Sequence, residues 1–371
     1  VLNRFDDYPI HQTPEPLAHP ATSDINFYDR TWFNGYSDDG TRYFGFGMAV
    51  YPHRRIQDCH FSTVEAGGRQ HCFFASRRAP QERTDLSVGP CRMEIVEPLR
   101  TVRVIIDDNA SDVACDLTFS ARTSAIQEAR QTLRHGTRAW MDATRFAQFG
   151  RWTGTISHPD GEISVDDWRG TKDRSWGVRG VGESLPSGAP VKPNGICFIW
   201  APLQWDDHIS HAVFFDGHDG QPLVREALTS PLYSTGDEIP DELDDVVTRM
   251  AGVTHRIEYH PGTRWARYAE LDFMGLDGSM RTITMEPELR FQFKGLGYGH
   301  PTWKQGLYKG ELEIGGESFD PLELDPLRPE NIHVQQVVRV SDGERTGIGA
   351  LEQIVVGPYA PAGFTDWFDG A

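Results

Sequence analysis

Positive charge is what this sequence is short of: 36 Lys and Arg stand against 54 Asp and Glu, for a formal net charge of −18. Binding to a phosphate backbone is driven by Lys and Arg displacing counterions, so this balance argues against a nucleic-acid partner. The basic residues are scattered apart from short pairs such as Arg54-Arg55 and Arg77-Arg78. No polybasic patch therefore marks an anionic membrane surface. Long apolar runs are also lacking. One of the longest, Ile196 to Pro202, is far below the roughly 20 residues that cross a bilayer, so no membrane span is expected.

Cysteine is sparse and unpatterned. Cys59, Cys72, Cys91, Cys115 and Cys197 make an odd, widely spaced set with no C-x-x-C pair, which excludes a disulfide framework and a zinc knuckle. A reduced thiol set and a cytoplasmic location are the expectation. The opening segment VLNRFDDYPIHQTPEP lacks a cationic start followed by an apolar stretch, so no signal peptide is expected.

Cofactor motifs are missing as well. There is no H-E-x-x-H, no EF-hand loop and no G-x-x-x-x-G-K-[ST], and Gly45-Phe46-Gly47 lacks the strand-to-helix setting of a nucleotide fingerprint. His208 and His211 are three apart, which on a strand puts them on opposite faces. A G-x-S-x-G nucleophile elbow is absent too. The expectation is a protein without metal or nucleotide cofactor.

Helical periodicity is scarce. Asp241 to Met250 carries Leu243, Val246, Val247 and Met250 at helical spacing, and Ser124 to Arg134 is a weaker candidate. Strand signals dominate instead. Val113, Cys115, Leu117, Phe119 and Ala121 alternate, as do Val102, Val104 and Ile106. Further strands are expected at 42–51, 71–76, 146–157, 196–205, 211–216, 264–273, 281–285, 311–314 and 334–340. Asp39-Gly40, Asp160-Gly161, Asp277-Gly278 and Asp342-Gly343 supply turns between them.

A chain of 371 residues is long for one core. Gly150 to Ile156 and Gly306 to Leu312 share the pattern G-x-aromatic-x-G-x-aliphatic at a separation near half the chain. They are either equivalent strands of a duplicated unit or a coincidence of two glycine-rich segments. The Gly/Pro stretch Gly180 to Gly195 is the natural boundary, so barrel domains are expected at 1–185 and 190–371.

Two segments concentrate polar and aromatic chemistry. DDWRGTKDRSWGVRG, Asp166 to Gly180, sets Asp173 beside Arg174, with Trp168, Trp176 and Arg179 nearby. An apolar wall raises a carboxyl pKa and a cation lowers it, so Asp173 reads as a tuned acid or as part of a structural ion-pair cluster. GLGYGHPTWKQG, Gly295 to Gly306, places Tyr298, His300, Trp303 and Lys304 on a loop, with His300 the candidate acid or base.

DRSWGVR, together with YDRTWFNGY (Tyr28 to Tyr36), DLSVGPCRMEIVEPLRTVRV (Asp85 to Val104) and GYGHPTW, resembles the AttH-like tandem lipocalin superfamily. That group includes carotenoid 1,2-hydratase and kievitone hydratase. The resemblance runs over almost the whole chain and implies two consecutive lipocalin-like antiparallel β-barrel domains, an all-β fold with little helix. It also implies a pocket for a small apolar or aromatic molecule. Asp173, Trp176 and Gly177 match the family's D-x-x-W-G element, whose aspartate the resemblance makes catalytic. Trp303-Lys304-Gln305-Gly306 stands where bacterial relatives are expected to carry Trp-Gly-His-Gly, so that His is missing.

The implied activity is a cofactor-independent hydratase, dehydratase or isomerase acting on an isoprenoid or aromatic apolar molecule. The alternative is a non-catalytic carrier of an apolar ligand. Protonating an unactivated double bond needs a carboxyl kept neutral by burial, the role given to Asp173. The cation formed needs aromatic faces, for which Trp168, Trp176, Trp200 and Trp303 are candidates, while His300 or Glu226 takes the proton from water. Arg174, Arg179 and Tyr298 complete the expected binding set.

Overall fold

The computed structural model describes residues 2–182, 189, 195–240 and 246–371. The described residues form two antiparallel sheets and no α-helix. The first sheet has 13 strands and is a nearly closed barrel; the second has nine and is a half-barrel. The all-β expectation thus holds, with the second unit more open than a full barrel.

The turn pairs do what their residues allow. Gly40, Gly161, Gly278 and Gly343 all take positive φ, the region a residue without Cβ enters freely. Gly40, Gly278 and Gly343 sit between consecutive antiparallel strands, and Gly161 opens the second strand of its pair. Every strand read from the sequence is present, but 146–157, 211–216 and 281–285 are parts of the longer strands Arg138–His158, His208–Gly217 and Met280–Gln292, and 311–314 overlaps the start of the longer Leu312–Phe319. Strands that the reading passed over include Phe27–Tyr36, Ile56–Glu65 and Gly161–Arg179. The last contains most of the charged Asp166–Gly180 segment.

One helix expectation fails, and the other fails over the part that is described. Ser124 to Arg134 contains the short strands Ile126–Gln127 and Gln131–His135, both paired with the long strand Arg138–His158. Of Asp241 to Met250, residues 241–245 lie outside the described residues. In the remainder Thr248–Arg249 pairs as a short strand with Leu228 and Thr229. Tertiary pairing overrides a weak helical spacing.

The proposed repeat also fails. Gly150 to Ile156 lies within Arg138–His158, whereas only Leu312 of Gly306 to Leu312 belongs to a strand. The glycines differ in purpose. A Cβ at Gly150 would meet the Ser120 carbonyl oxygen at 2.4 Å, while Gly306 turns the chain at φ +73. The strand Leu312–Phe319 then pairs with Gln70–Arg78, so this piece of the second half extends the first sheet.

Parity along the strands positions the rest. Phe27–Tyr36 and Arg138–His158 flank Gly161–Arg179 on either side. Side chains of one parity, including Phe33, Trp152 and Trp168, fill the barrel interior. Those of the other parity, including Trp32, Ala147 and Phe149, pack with Trp200, Val213 and Phe291 of the second sheet. The five cysteines are buried free thiols.

Candidate functional site

Between the two sheets lies a cavity of about 200 Å³. Its aromatic wall is Trp32, Trp140, Phe198, Trp200, Phe215 and Tyr298, and its ionisable groups are Arg30, Arg145, Arg179, Asp173, His333 and Glu352. Strand pairing explains the cluster. Asp173 is directly opposite Trp32 on one side and Ala147 on the other, with Arg145 one diagonal step away on the same face. Trp200 is opposite Glu352 in the second sheet.

Asp173 is the unusual group. Its Oδ1 is buried with no hydrogen-bond partner, and no cation of the described residues lies within ion-pair distance of it. Burial pushes its carboxyl up to about 6. The Arg145 charge opposes that shift, and the negative charges of Glu128 and Glu352 reinforce it. Neither Arg174 nor Arg179 forms an ion pair with it, although the Arg179 charge also opposes the shift. Arg174 points to the other face and pairs with Asp29 at 2.6 Å. Arg179 lies over the Tyr28 ring at 4.6 Å and donates to Gln305 Oε1 at 3.2 Å.

A second acid, Glu128, anchors the cavity from behind. It accepts the Trp200 indole N–H at 3.0 Å, is 3.1 Å from His211 Nε2, and lies 3.8 Å from Arg145. Burial works against its charge, but the His211 hydrogen bond, Arg145 and the indole outweigh burial and hold its pKa below the usual value. Burial likewise disfavours the charged form of Arg145, yet Asp173 and Glu128 raise its pKa. A third polar chain runs from His333, whose Nε2 is 2.8 Å from Glu352. Glu352 also accepts from Gln335, whose own oxygen accepts from Asn34 at 2.7 Å. His333 stacks on Phe293 with ring centroids 4.1 Å apart.

Of the residues proposed from sequence, Asp173, Arg179, Trp200 and Tyr298 line this cavity. The others lie elsewhere. Trp168 is in the barrel core near Phe44, and Trp176 is 37% exposed and edge-on to Phe146. Both are an odd number of residues from Asp173, so strand parity sends them to the opposite face. Trp303 stacks on Phe74. His300 is occupied by its own loop, its Nδ1 accepting the Trp303 N–H at 2.8 Å and its Nε2 lying 3.3 Å from Glu317. Glu226 pairs with Arg249 and accepts the Ala129 N–H at 2.7 Å.

Sequence reasoning missed Arg30, Trp32, Glu128, Arg145, His333 and Glu352. Arg145 was one residue outside a recognised strand, and Glu128 lay inside a segment read as helical. Among the described residues, His71, His158 and Asp160 form one cluster with metal-type side chains. Its rings stack at 4.8 Å and 21°, so their lone pairs run alongside each other. His158 Nδ1 also accepts the Asp160 N–H at 3.3 Å, which puts the ring proton on Nε2. The cluster reads as a hydrogen-bonded clasp on the Asp160-Gly161 turn.

A family model matches residues 2–365. The chain belongs to the family of unknown function DUF8625. No curated protein matches its sequence. Solved structures do match in fold. Kievitone hydratase from Nectria haematococca gives a TM-score of 0.53 at 12% identity, covering 88% of each chain. A putative AttH from Nitrosomonas europaea gives 0.57 at 13% identity, over 93% of this chain and 98% of that one. CghA, solved with Sch210972, gives 0.50 at 11% identity over 89% of each chain. At such identities the likeness shows the fold alone, and it is the AttH-like fold to which the sequence motifs pointed.

Proposed function

We propose that the inter-sheet cavity is the active site of a cofactor-independent enzyme that adds water to, removes water from, or isomerises a small apolar or aromatic molecule. The observation that carries this reading is Asp173: a half-buried residue whose carboxyl has its pKa raised to about 6 and whose Oδ1 is buried and free of protein partners among aromatic faces. A carboxyl whose pKa is raised toward neutrality keeps a protonated fraction there that an ordinary aspartate lacks, and that form is suited to protonate a double bond. In the hydration direction the Asp173 proton passes to one alkene carbon and leaves a cation on the other. Trp32 and Trp200 meet edge to face at 5.6 Å and offer π faces to that charge. Water then attacks the cation, and the Glu352–His333 pair accepts the proton that water loses. Exchange of that proton back to Asp173 resets the site.

The cavity is smaller than the roughly 300–1,000 Å³ typical of drug-sized ligands, so it suits the reacting end of a molecule better than a long chain. Support from the fold is consistent but general: kievitone hydratase, a hydratase by name, shares it. The deciding experiment identifies by mass spectrometry the metabolites retained by native protein, then incubates each with wild type and Asp173→Asn. Gain or loss of water, or isomerisation, that needs Asp173 supports the enzyme. A retained compound that leaves unchanged from both proteins makes the cavity a carrier site and ends the catalytic reading.

A further inference from the structure

The residues of Gly161–Arg179 whose parity is opposite to that of Asp173 face a second, larger space. The barrel is closed at one end by aromatic packing of Phe33, Phe44 and Trp152. Its other end opens into a cavity of about 840 Å³ walled by Met48, Leu86, Met93 and Val102. That volume lies within the usual range for a bound small molecule. Phe5 and Ile10 of the N-terminal segment and Ile95 line the mouth while staying 40%, 44% and 54% exposed. Large apolar side chains concentrated at a rim mark a place where an apolar partner enters.

The charges inside do not balance. The cavity is lined by the cations Arg83, Lys172 and Arg174 and by the carboxylates Asp29, Glu82, Asp85 and Glu94. Every carboxylate already has a cation: Asp29 pairs with Arg174 at 2.6 Å, Glu82 with Arg4 at 3.7 Å, Asp85 with Arg77 at 2.9 Å and Glu94 with Arg92 at 3.4 Å. Lys172 and Arg83 are left without a hydrogen bond or ion pair among the described residues. Lys172 is only 7% exposed, and its ammonium has the Phe146 ring as its neighbour at 5.6 Å. An unpaired buried ammonium is costly, and its charge is satisfied when a ligand brings the counter-charge.

We infer that the mouth of this barrel is a second ligand site, separate from the inter-sheet cavity, which takes an amphipathic carboxylate of the fatty-acid class. The apolar chain lies along Met48, Leu86 and Met93, and the carboxylate sits between Lys172 and Arg83, flanking the Arg174–Asp29 pair.

Calorimetric titration with laurate and with lauryl alcohol, the same chain without the charge, tests the assignment. Laurate should bind wild type at least about ten-fold more tightly at pH 7, because a charge-assisted contact distinguishes the two. Lys172→Met should abolish most of that preference and leave alcohol binding within about two-fold. Its melting temperature should not fall, since the substitution removes an unpaired buried charge. Wild type gives a second readout that needs no variant. Burial, aided by Arg174, brings the Lys172 ammonium down to about 8, so the preference should shrink as pH rises through that value while Arg83 stays charged. Equal binding of acid and alcohol, no binding of either, or a preference that survives both Lys172→Met and high pH overturns the site.

Discussion

Trp32 and Asp173 face each other directly across neighbouring antiparallel strands, so the indole and the carboxyl share one sheet face. Opposed side chains in such a pair are only about 5 Å apart at Cβ. Trp32 in turn meets Trp200 of the second sheet edge to face. The desolvation of Asp173 is therefore produced by the docking of one sheet on the other, and the raised pKa belongs to the assembled structure.

That origin fixes the sign of a pH effect. The folded pKa of Asp173, about 6, is above its unfolded value, so the native state binds the proton more tightly and stability falls as pH rises from about 4 through 6. Asp173→Asn cannot ionise and should lose that fall, melting higher than wild type above pH 6. Arg145 keeps Glu128 as its counter-charge in the variant. Melting curves across pH 4–8 check this. An infrared band of a protonated carboxyl, titrating near pH 6 and absent from Asp173→Asn, is the direct signature.

Glu128 should behave in the opposite way. Its folded pKa is depressed, so its contribution is present above the unfolded pKa and is lost as pH falls through the folded one. Glu128→Gln removes the charge facing Arg145 and His211 and should cost about 3 kcal/mol at neutral pH, in the range for breaking one side of a buried pair. It also removes a negative charge that raises the Asp173 pKa, so the carboxyl titration should move to lower pH. Denaturant unfolding and the infrared titration on one sample test both. Unchanged stability would remove Glu128 as an anchor.

Much of the fold was legible because period-two alternation and Asp-Gly turns are local signals. Val113 to Ala121 shows its buried face without reference to any other strand. Asp173 stood out through a motif, but its surroundings did not. Trp168 and Trp176 are near in sequence and were given the role that Trp32 holds from about 140 residues away. Parity alone rules out the first two. Finding Trp32 requires the pairing register, which depends on how the whole sheet assembles. Glu226 and His300 looked free in the sequence because Arg249 and Glu317, which hold them, are brought close only by folding.

Glu226 gives a clean contrast with Asp173. Its carboxylate is held by Arg249 and the Ala129 N–H at the edge of the second sheet. Glu226→Gln should cost about 1 kcal/mol or less, as expected for a partly exposed pair. Turnover of the substrate identified from the retained metabolites should stay within about two-fold of wild type, while Asp173→Asn should lose roughly 100-fold. Parallel assays of the two variants decide it, and a large loss in Glu226→Gln would return that residue to the catalytic set.

Arg30 leads to a last expectation, because it is a buried cation that the protein does not bond. All three guanidinium nitrogens are buried without a hydrogen-bond partner, and the group lies 5.3 Å from the Tyr298 ring centroid. Room for it comes from Gly47, where a Cβ would fall 2.2 Å from Arg30 Nη2. Its electrostatic counterpart is Asp58, whose carboxyl burial pushes up to about 6, with the Arg30 charge the strongest opposing influence. Arg30→Met should therefore raise the Asp58 pKa further and let that carboxyl stay protonated near neutrality, so that no charge is stranded. A raised folded pKa means stability that declines as pH rises through it. The variant should melt close to wild type at pH 6 and fall progressively below it toward pH 8, whereas an Arg30 that mainly braces the fold would lose stability equally at both. Melting temperatures of Arg30→Met and Arg30→Met/Asp58→Asn across that range separate the two, because the double variant, with no carboxyl at position 58 to ionise, should show no such slope.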